Sequence, residues 1–454
     1  MTSTGVARTD RRARLAFVLA AALALVVLLL LGLGMTFFSD EWAFIESRSL
    51  GDPGTWLIPH NEHWSTLPIL LYRAMVETIG IGSYVPYLAV VAVLHIIVAS
   101  LVFLLLERSS GPWFALAGAT IVLFFGAGFE NLYWGFQTGF VGSMAFGLAA
   151  MVVTDREPTR RNATIVAALL LAANMCSTIG AIVSVAVGIQ WFVDRSWRRY
   201  VGVLLVPAGI LLLWLLAVGR DGVLARDPLT IAAAATIPSY VVNGFGYAAG
   251  SVTGLPIIGS VIAFGGLVGI LLRMQSGRVP ARAIGVVVAV TVQYALTALV
   301  RGLIETDHSA LSRYTYVSGI LMMVALGDIL GRVSLPAPGS RRLLAVAVLT
   351  VWLTLTAVHN GALLILGREL FLDRADMTRA LVTVALDPEP PDGAQLDRSL
   401  VLVPSATSLH RIADAYGDPR TDALVPFAVR PIPPDILAEA TRRLIEGAPI
   451  PGAE

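Results

Sequence analysis

Two short polar stretches carry the residues best suited to chemistry: Ser39-Asp40-Glu41-Trp42 and Pro59-His60-Asn61-Glu62-His63-Trp64. Both follow the first long apolar segment of the chain. Carboxylates at the mouth of an apolar helix are costly to place, and ionisable residues near a membrane core mark functional sites by default. In a partly dry cleft, a carboxylate takes the proton of an incoming hydroxyl, or positions that hydroxyl, while a leaving group departs. The same acids also suit a helix start, with Ser39 or Asp40 capping an amphipathic helix over Glu41–Ser47. The residues alone leave both readings open. His60 and His63 are three apart, a spacing that would put them on one helix face with Glu62 nearby. The pattern is not the H-E-x-x-H zinc motif. Hydrogen bonding to a phosphate or an acceptor ranks above metal binding, and an interfacial cap anchored by Trp64 is the plain structural alternative.

Two further clusters fall on the same expected face of the membrane: Glu130, Asn131 and Gln137, and Asp307, His308, Arg313 and Tyr314. The Arg313 guanidinium suits a phosphate through bidentate hydrogen bonds, or else snorkels to lipid headgroups. Arg301 invites the same comparison and ranks lower. Tyr133, Trp134 and Phe136 either stack on a sugar ring or form an ordinary interfacial belt. His95, within an apolar stretch, reads as a packing histidine. The glycine-rich runs 244–250 and 265–266 lack phosphate-loop spacing and read as helix contacts. There is no Walker motif, dinucleotide fingerprint or cysteine-based metal site.

The elements that must position these residues are membrane helices. The 454-residue chain is 56% hydrophobic and only 14% charged, whereas soluble domains are about one-quarter charged. Its mean hydropathy is +0.76, and apolar runs near twenty residues recur. A net charge of +1 gives no case for nucleic acid. All 32 basic residues are Arg, which fits a GC-rich bacterial genome such as an actinobacterial one, and the lone Cys176 excludes an internal disulfide. Arg8, Arg11, Arg12 and Arg14 precede an apolar run too long for a signal-peptide core, so an uncleaved first helix is expected.

The pattern predicts an all-α polytopic protein of about eleven spans, with the N-terminus cytoplasmic. Residues 1–14 form the N-terminal tail. Residues 15–366 form the transmembrane domain, with outside loops at 38–82 and 219–254. Trp64–Ile79 within the first loop is spaced as an amphipathic helix. Ala163–Val193 is expected as two short helices broken at Asn174–Thr178, since one span would reverse the charge bias of the following loops. The second loop is kept outside or dipping for the same reason. Residues 367–454 are expected as a small extracytoplasmic α/β region with a strand-like run over Ser399–Val403, leaning on the membrane part for stability.

This layout resembles the GT-C superfamily of integral-membrane glycosyltransferases. Asp40-Glu41 is similar to the Asp-Glu motif of protein O-mannosyltransferases and to the paired acids of bacterial enzymes acting on lipid A or cell-wall glycans. Ser312-Arg313-Tyr314 is more loosely similar to an Arg-Tyr element of bacterial members. The resemblance implies a plasma-membrane enzyme taking a sugar from a polyprenyl-phosphate donor to a glycan, lipid or protein acceptor. It implies Asp40 as general base, supported by Glu41. Arg313 with Tyr314 would meet the donor phosphate, and His60, Glu62, His63 and Glu130 would line the substrate site. No cofactor is demanded, although Asp40, Glu41 and Glu62 offer a divalent cation a set of oxygens. The rival classes are a flippase for a lipid-linked saccharide and an O-antigen-type polymerase or ligase.

Overall fold

A computed structural model of the chain describes residues 3–220, 230–301, 308–332, 339–387, 396, 400–401 and 405–446. The helices are α1 (Ser3–Gly32), α2 (Asp40–Glu46), α3 (Gly54–Leu57), α4 (Thr66–Ile79), α5 (Val85–Ser110), α6 (Pro112–Leu123), α7 (Glu130–Tyr133), α8 (Thr138–Thr154), α9 (Arg160–Cys176), α10 (Ile179–Val193), α11 (Leu205–Trp214), α12 (Ile231–Thr253), α13 (Gly259–Gln275), α14 (Ala281–Arg301), α15 (Ser312–Leu330), α16 (Ser340–Ala385), α17 (Ala406–Tyr416) and α18 (Pro434–Glu446). Each apolar stretch expected to span is helical. Among the described residues, seven helices are long and apolar enough to cross a membrane, and α6 and α10 are shorter apolar helices.

The helices divide their faces as a bilayer requires. On α1, Phe17, Ala24 and Leu28 are buried, while Leu15, Leu19, Leu23 and Leu30 are more than half exposed. In water such a bare apolar face would be costly; in lipid it is the solvated one. The buried face uses small residues, so helices approach closely. Gly180 lies against the Ala173 backbone, where a Cβ would come within 2.2 Å. That contact lets α9 and α10 fold back on each other at the expected break, Ser177-Thr178. At the end of the bundle where α1 begins, ion pairs tie helices together. Arg14 meets Glu107 at 2.8 Å, and Arg282 pairs with Asp155.

Two stretches differ from expectation. The stretch expected as an outside loop, 219–254, contains α12, a helix of 23 residues; residues 221–229 lie outside the described set. Its Tyr240, Ala248 and Ala249 are buried, and Gly244 passes under the Tyr294 ring, where a Cβ would come within 2.3 Å. Small residues let this helix pack closely against its neighbours. No helix ends at 366/367 either, because α16 runs 46 residues without interruption, roughly 69 Å at 1.5 Å per residue. That is about twice a bilayer core. The polar residues after Leu366 change the helix's surroundings rather than end it. The C-terminal part carries no strand among its described residues, only helices α17 and α18 and a single bridge from Val401 to Ser39. Ser399, Leu402 and Val403 of the strand-like run lie outside the described residues.

Candidate active site

Asp40 and Glu41 open α2 and part at once, because successive helical residues point about 100° apart. Ser39 makes no side-chain capping bond, so the capping reading fails. Glu41 turns fully inward, at 0% exposure. It accepts hydrogen bonds from the Phe38 N–H (2.7 Å), Tyr72 Oη (2.8 Å) and Tyr84 Oη (2.8 Å). Tyr84 Oη in turn accepts from the Gly135 N–H at 2.7 Å. The carboxyl thus locks α2 to α4, α5 and the turn before α8. Burial pushes it up to about 8, against the lowering effect of Tyr72, Tyr84 and the Phe38 and Phe136 backbone. Glu41, expected as a catalytic acid beside Asp40, is instead fully buried and held by hydrogen bonds within the fold.

A stability test follows. Because the folded state holds Glu41's proton from about 4.5 up to about 8, the unfolded chain binds fewer protons over that window. Stability should be fullest below the lower value and fall as pH rises through the upper one. Glu41→Gln has no proton to lose and should flatten the slope in calorimetric unfolding of detergent-solubilised protein.

Asp40 remains partly open, with 21% of its side chain exposed, and its Oδ1 lies 2.9 Å from His60 Nε2. His60 is wedged between the rings of Phe44 and Phe136, at 5.0 and 5.1 Å. The loop that delivers it is held by Arg48, which donates to Thr55 O, Ile58 O and Pro59 O at 2.7, 3.2 and 3.0 Å. His60 and His63 do not share a helix face. They pair backbone to backbone across a tight turn, allowed by Asn61 at φ 51°, and aim in different directions. His63 Nδ1 meets Thr178 Oγ1 at 2.5 Å and Ser177 Oγ at 3.3 Å, at the α9–α10 break. Glu62 Oε1 lies 3.9 Å from His63 Nε2. Trp64 is no membrane anchor: it is buried and stacks on Trp214 at 5.2 Å. With Glu41 buried and Glu62 beside His63, the cation set Asp40, Glu41 and Glu62 is not assembled. Among the described residues no three His, Cys, Asp or Glu side chains gather as a metal site.

Glu130 and Arg313 meet, though through the backbone. Glu130 Oε2 accepts from the Arg313 N–H at 3.1 Å, and the Glu130 N–H donates to Ser312 Oγ at 3.1 Å. Glu130 therefore caps the N-terminus of α15, where a carboxylate is favoured. That leaves the Arg313 guanidinium to lie over the Tyr314 ring, 5.5 Å from its centroid. Burial works against the Arg313 charge, but Tyr314, Glu130 and Asp40 more than offset it and raise its pKa. Asn131 donates to Gln137 at 3.4 Å, within the fold. Asp307 lies outside the described residues, as do the side chains of His308 and Arg301.

A second arginine lies near Arg313. Arg374 projects from α16 over the rings of Phe38 and Phe371, 5.3 and 5.1 Å from their centroids. Burial lowers its pKa, Glu130 raises it and neighbouring Arg313 lowers it. Among the described residues no carboxylate lies within ion-pair distance of either guanidinium. Glu130 thus acts on the charge of both arginines, and Asp40 acts on that of Arg313. The missed signal was the three-residue step from Phe371 to Arg374, legible only once α16 continues past Leu366.

An apolar groove of about 690 Å³ runs between α6 and α16, lined by Trp113, Ile121 and Phe124 on one side and Leu349, Leu353 and Leu364 on the other. The same face of α16 continues through Gly367, packed under Phe129, to Phe371 and Arg374. From Leu364 to Arg374 is roughly 15 Å along the helix.

Among solved structures, ArnT from Cupriavidus metallidurans, determined bound to undecaprenyl phosphate, superimposes with a TM-score of 0.53 at 16% identity, covering 91% of this chain and 89% of that one. The chain therefore shares the overall fold of that protein. No family model matches the sequence, and no curated protein matches it.

Proposed function

We propose that the chain is a membrane glycosyltransferase that moves a sugar from a polyprenyl-phosphate donor to a hydroxyl of an envelope glycan, lipid or protein at the outer face of the plasma membrane. The observation that carries this is that Asp40, partly open and 2.9 Å from His60, acts on the charge of Arg313, which neighbours Arg374 on the helix that also lines an apolar groove. The fold likeness to a protein solved with undecaprenyl phosphate supports it.

The chemistry is a displacement at the anomeric carbon. Asp40 takes the proton of the acceptor hydroxyl as its oxygen bonds to that carbon. The bond to the phosphate oxygen breaks, and the electron pair leaves with the lipid phosphate. Arg313 and Arg374 stabilise the charge that grows there. His60 keeps the Asp40 carboxylate aimed. The leaving group remains in the membrane, so no nucleotide-binding domain is required. A single displacement inverts the anomeric configuration.

The groove supplies a separate test. Gly361 lines it, and a Cβ added there meets nothing within 4 Å. Gly361→Phe should fill the groove without disturbing the backbone and weaken binding of a polyprenyl phosphate about tenfold or more, as lost apolar burial requires. A water-soluble short-chain donor should be affected much less, and equal loss for both would remove the groove from the donor site. For the whole reading, purified protein in nanodiscs should transfer radiolabelled sugar from polyprenyl-phosphate donors. Membrane glycolipids and envelope glycans should differ between a deletion strain and its parent, and identical profiles would sink the reading.

A further inference from the structure

We infer that the C-terminal part of the chain is a positioning strap for Asp40, acting through the backbone of Ser39. This rests on the reading of Asp40 as the catalytic base. Ser39 sits at φ 49°, ψ −115°, a conformation that glycine tolerates and serine does not adopt without strain. Strain of this kind persists only where the surroundings over-determine it, and the strap is what does so. The Ser39 N–H donates to Leu400 O at 2.7 Å, and Ser39 forms a parallel bridge with fully buried Val401. The next residue is Asp40, so the angle at Ser39 sets where its carboxylate points.

The same segment grips the rest of the loop. Arg379 donates to Gly34 O and Met35 O at 2.7 and 3.0 Å, just before the loop. Tyr416 accepts from Arg73 at 2.9 Å, and its carbonyl accepts from the Ile81 N–H at 2.7 Å. Asp422 accepts from the Tyr84 N–H at 3.3 Å. The beginning, middle and end of residues 34–84 are thus fastened to residues 379–422. Such fastening matters because an error of about 1 Å in a reacting group costs a large factor in rate.

The test loosens the strap and then restores it. Val401→Gly should lower kcat for sugar transfer roughly tenfold, while the Kd for polyprenyl phosphate stays at the wild-type value. A second protein carries Ser39→Cys and Val401→Cys in a Cys176→Ala background. Paired backbones about 4.8 Å apart lie within disulfide reach, so oxidised glutathione should close the cross-link. The oxidised form should transfer faster than the same protein reduced with dithiothreitol. A merely structural contact would lower kcat and donor binding together, and the redox state would not change turnover per folded molecule. Either result overturns the strap, as does failure of the cysteines to cross-link. If the cross-link closes but no protein, wild type included, transfers sugar, the enzyme reading fails and the strap's contact stands.

Discussion

Asp40→Asn should reduce sugar transfer by about 10²- to 10⁴-fold, the range that a positioned general base contributes, with donor binding almost unchanged. The substitution preserves size and leaves an oxygen facing His60 Nε2, which lies 2.9 Å from Asp40 Oδ1. The loop therefore keeps its shape. What is lost is the ability to accept a proton from the acceptor hydroxyl. Because 21% of the side chain is exposed, the amide is not left buried and unsatisfied, and unfolding of the variant should match wild type. Single-turnover transfer with saturating donor, beside equilibrium binding of the polyprenyl phosphate, separates the two effects. A flippase with the same cleft would keep moving its lipid after this change. Retained transfer would therefore remove Asp40 from the chemistry, and retained lipid transport without any transfer activity in wild type would favour the transporter reading.

The second large effect belongs to the arginines. Arg313→Ala and Arg374→Ala should each weaken donor binding by about 10- to 100-fold, since a charge-assisted hydrogen bond to phosphate contributes about 1.5–3 kcal/mol. Each guanidinium rests on aromatic rings and not on a carboxylate within ion-pair distance among the described residues. Removing one therefore breaks no ion pair of the fold and relieves the repulsion between them. Affinity should fall while the unfolding midpoint stays close to wild type. Lysine should rescue poorly at either position, because a point charge does not reproduce the planar fork. If both arginines hold one phosphate, the double variant should lose less than the sum of the two single losses in free energy. Additive losses would place them on different groups. Titrating detergent-solubilised protein with polyprenyl phosphate at fixed ionic strength measures all three variants.

Much of the molecule is legible in its sequence for a simple reason. Lipid demands long apolar helices with their backbone bonds satisfied internally, and such helices announce themselves by length and composition. The amphipathic α4 and the break at Ser177-Thr178 were visible in the same way, through periodicity and a polar interruption. Arguments from loop charge were weaker. They favour a loop where α12 forms, although its alanines and its glycine under Tyr294 fit it for close packing. The polar composition after Leu366 reads as the end of a helix, and nothing in it pairs Arg374 with Arg313.

The sequence by itself determined the class of protein and the stretch that matters, since apolar length and the placement of rare carboxylates are properties of neighbours along the chain. It could not tell Asp40 from Glu41. Adjacent acids have identical local chemistry, and only the tertiary fold buries one among Tyr72 and Tyr84 and leaves the other partly open beside His60. The same holds for the other pairings. Asp40 meets His60, Glu130 meets Arg313 and Ser39 meets Val401 because segments apart in the chain pack side by side, and a carboxylate's role follows from what surrounds it in space.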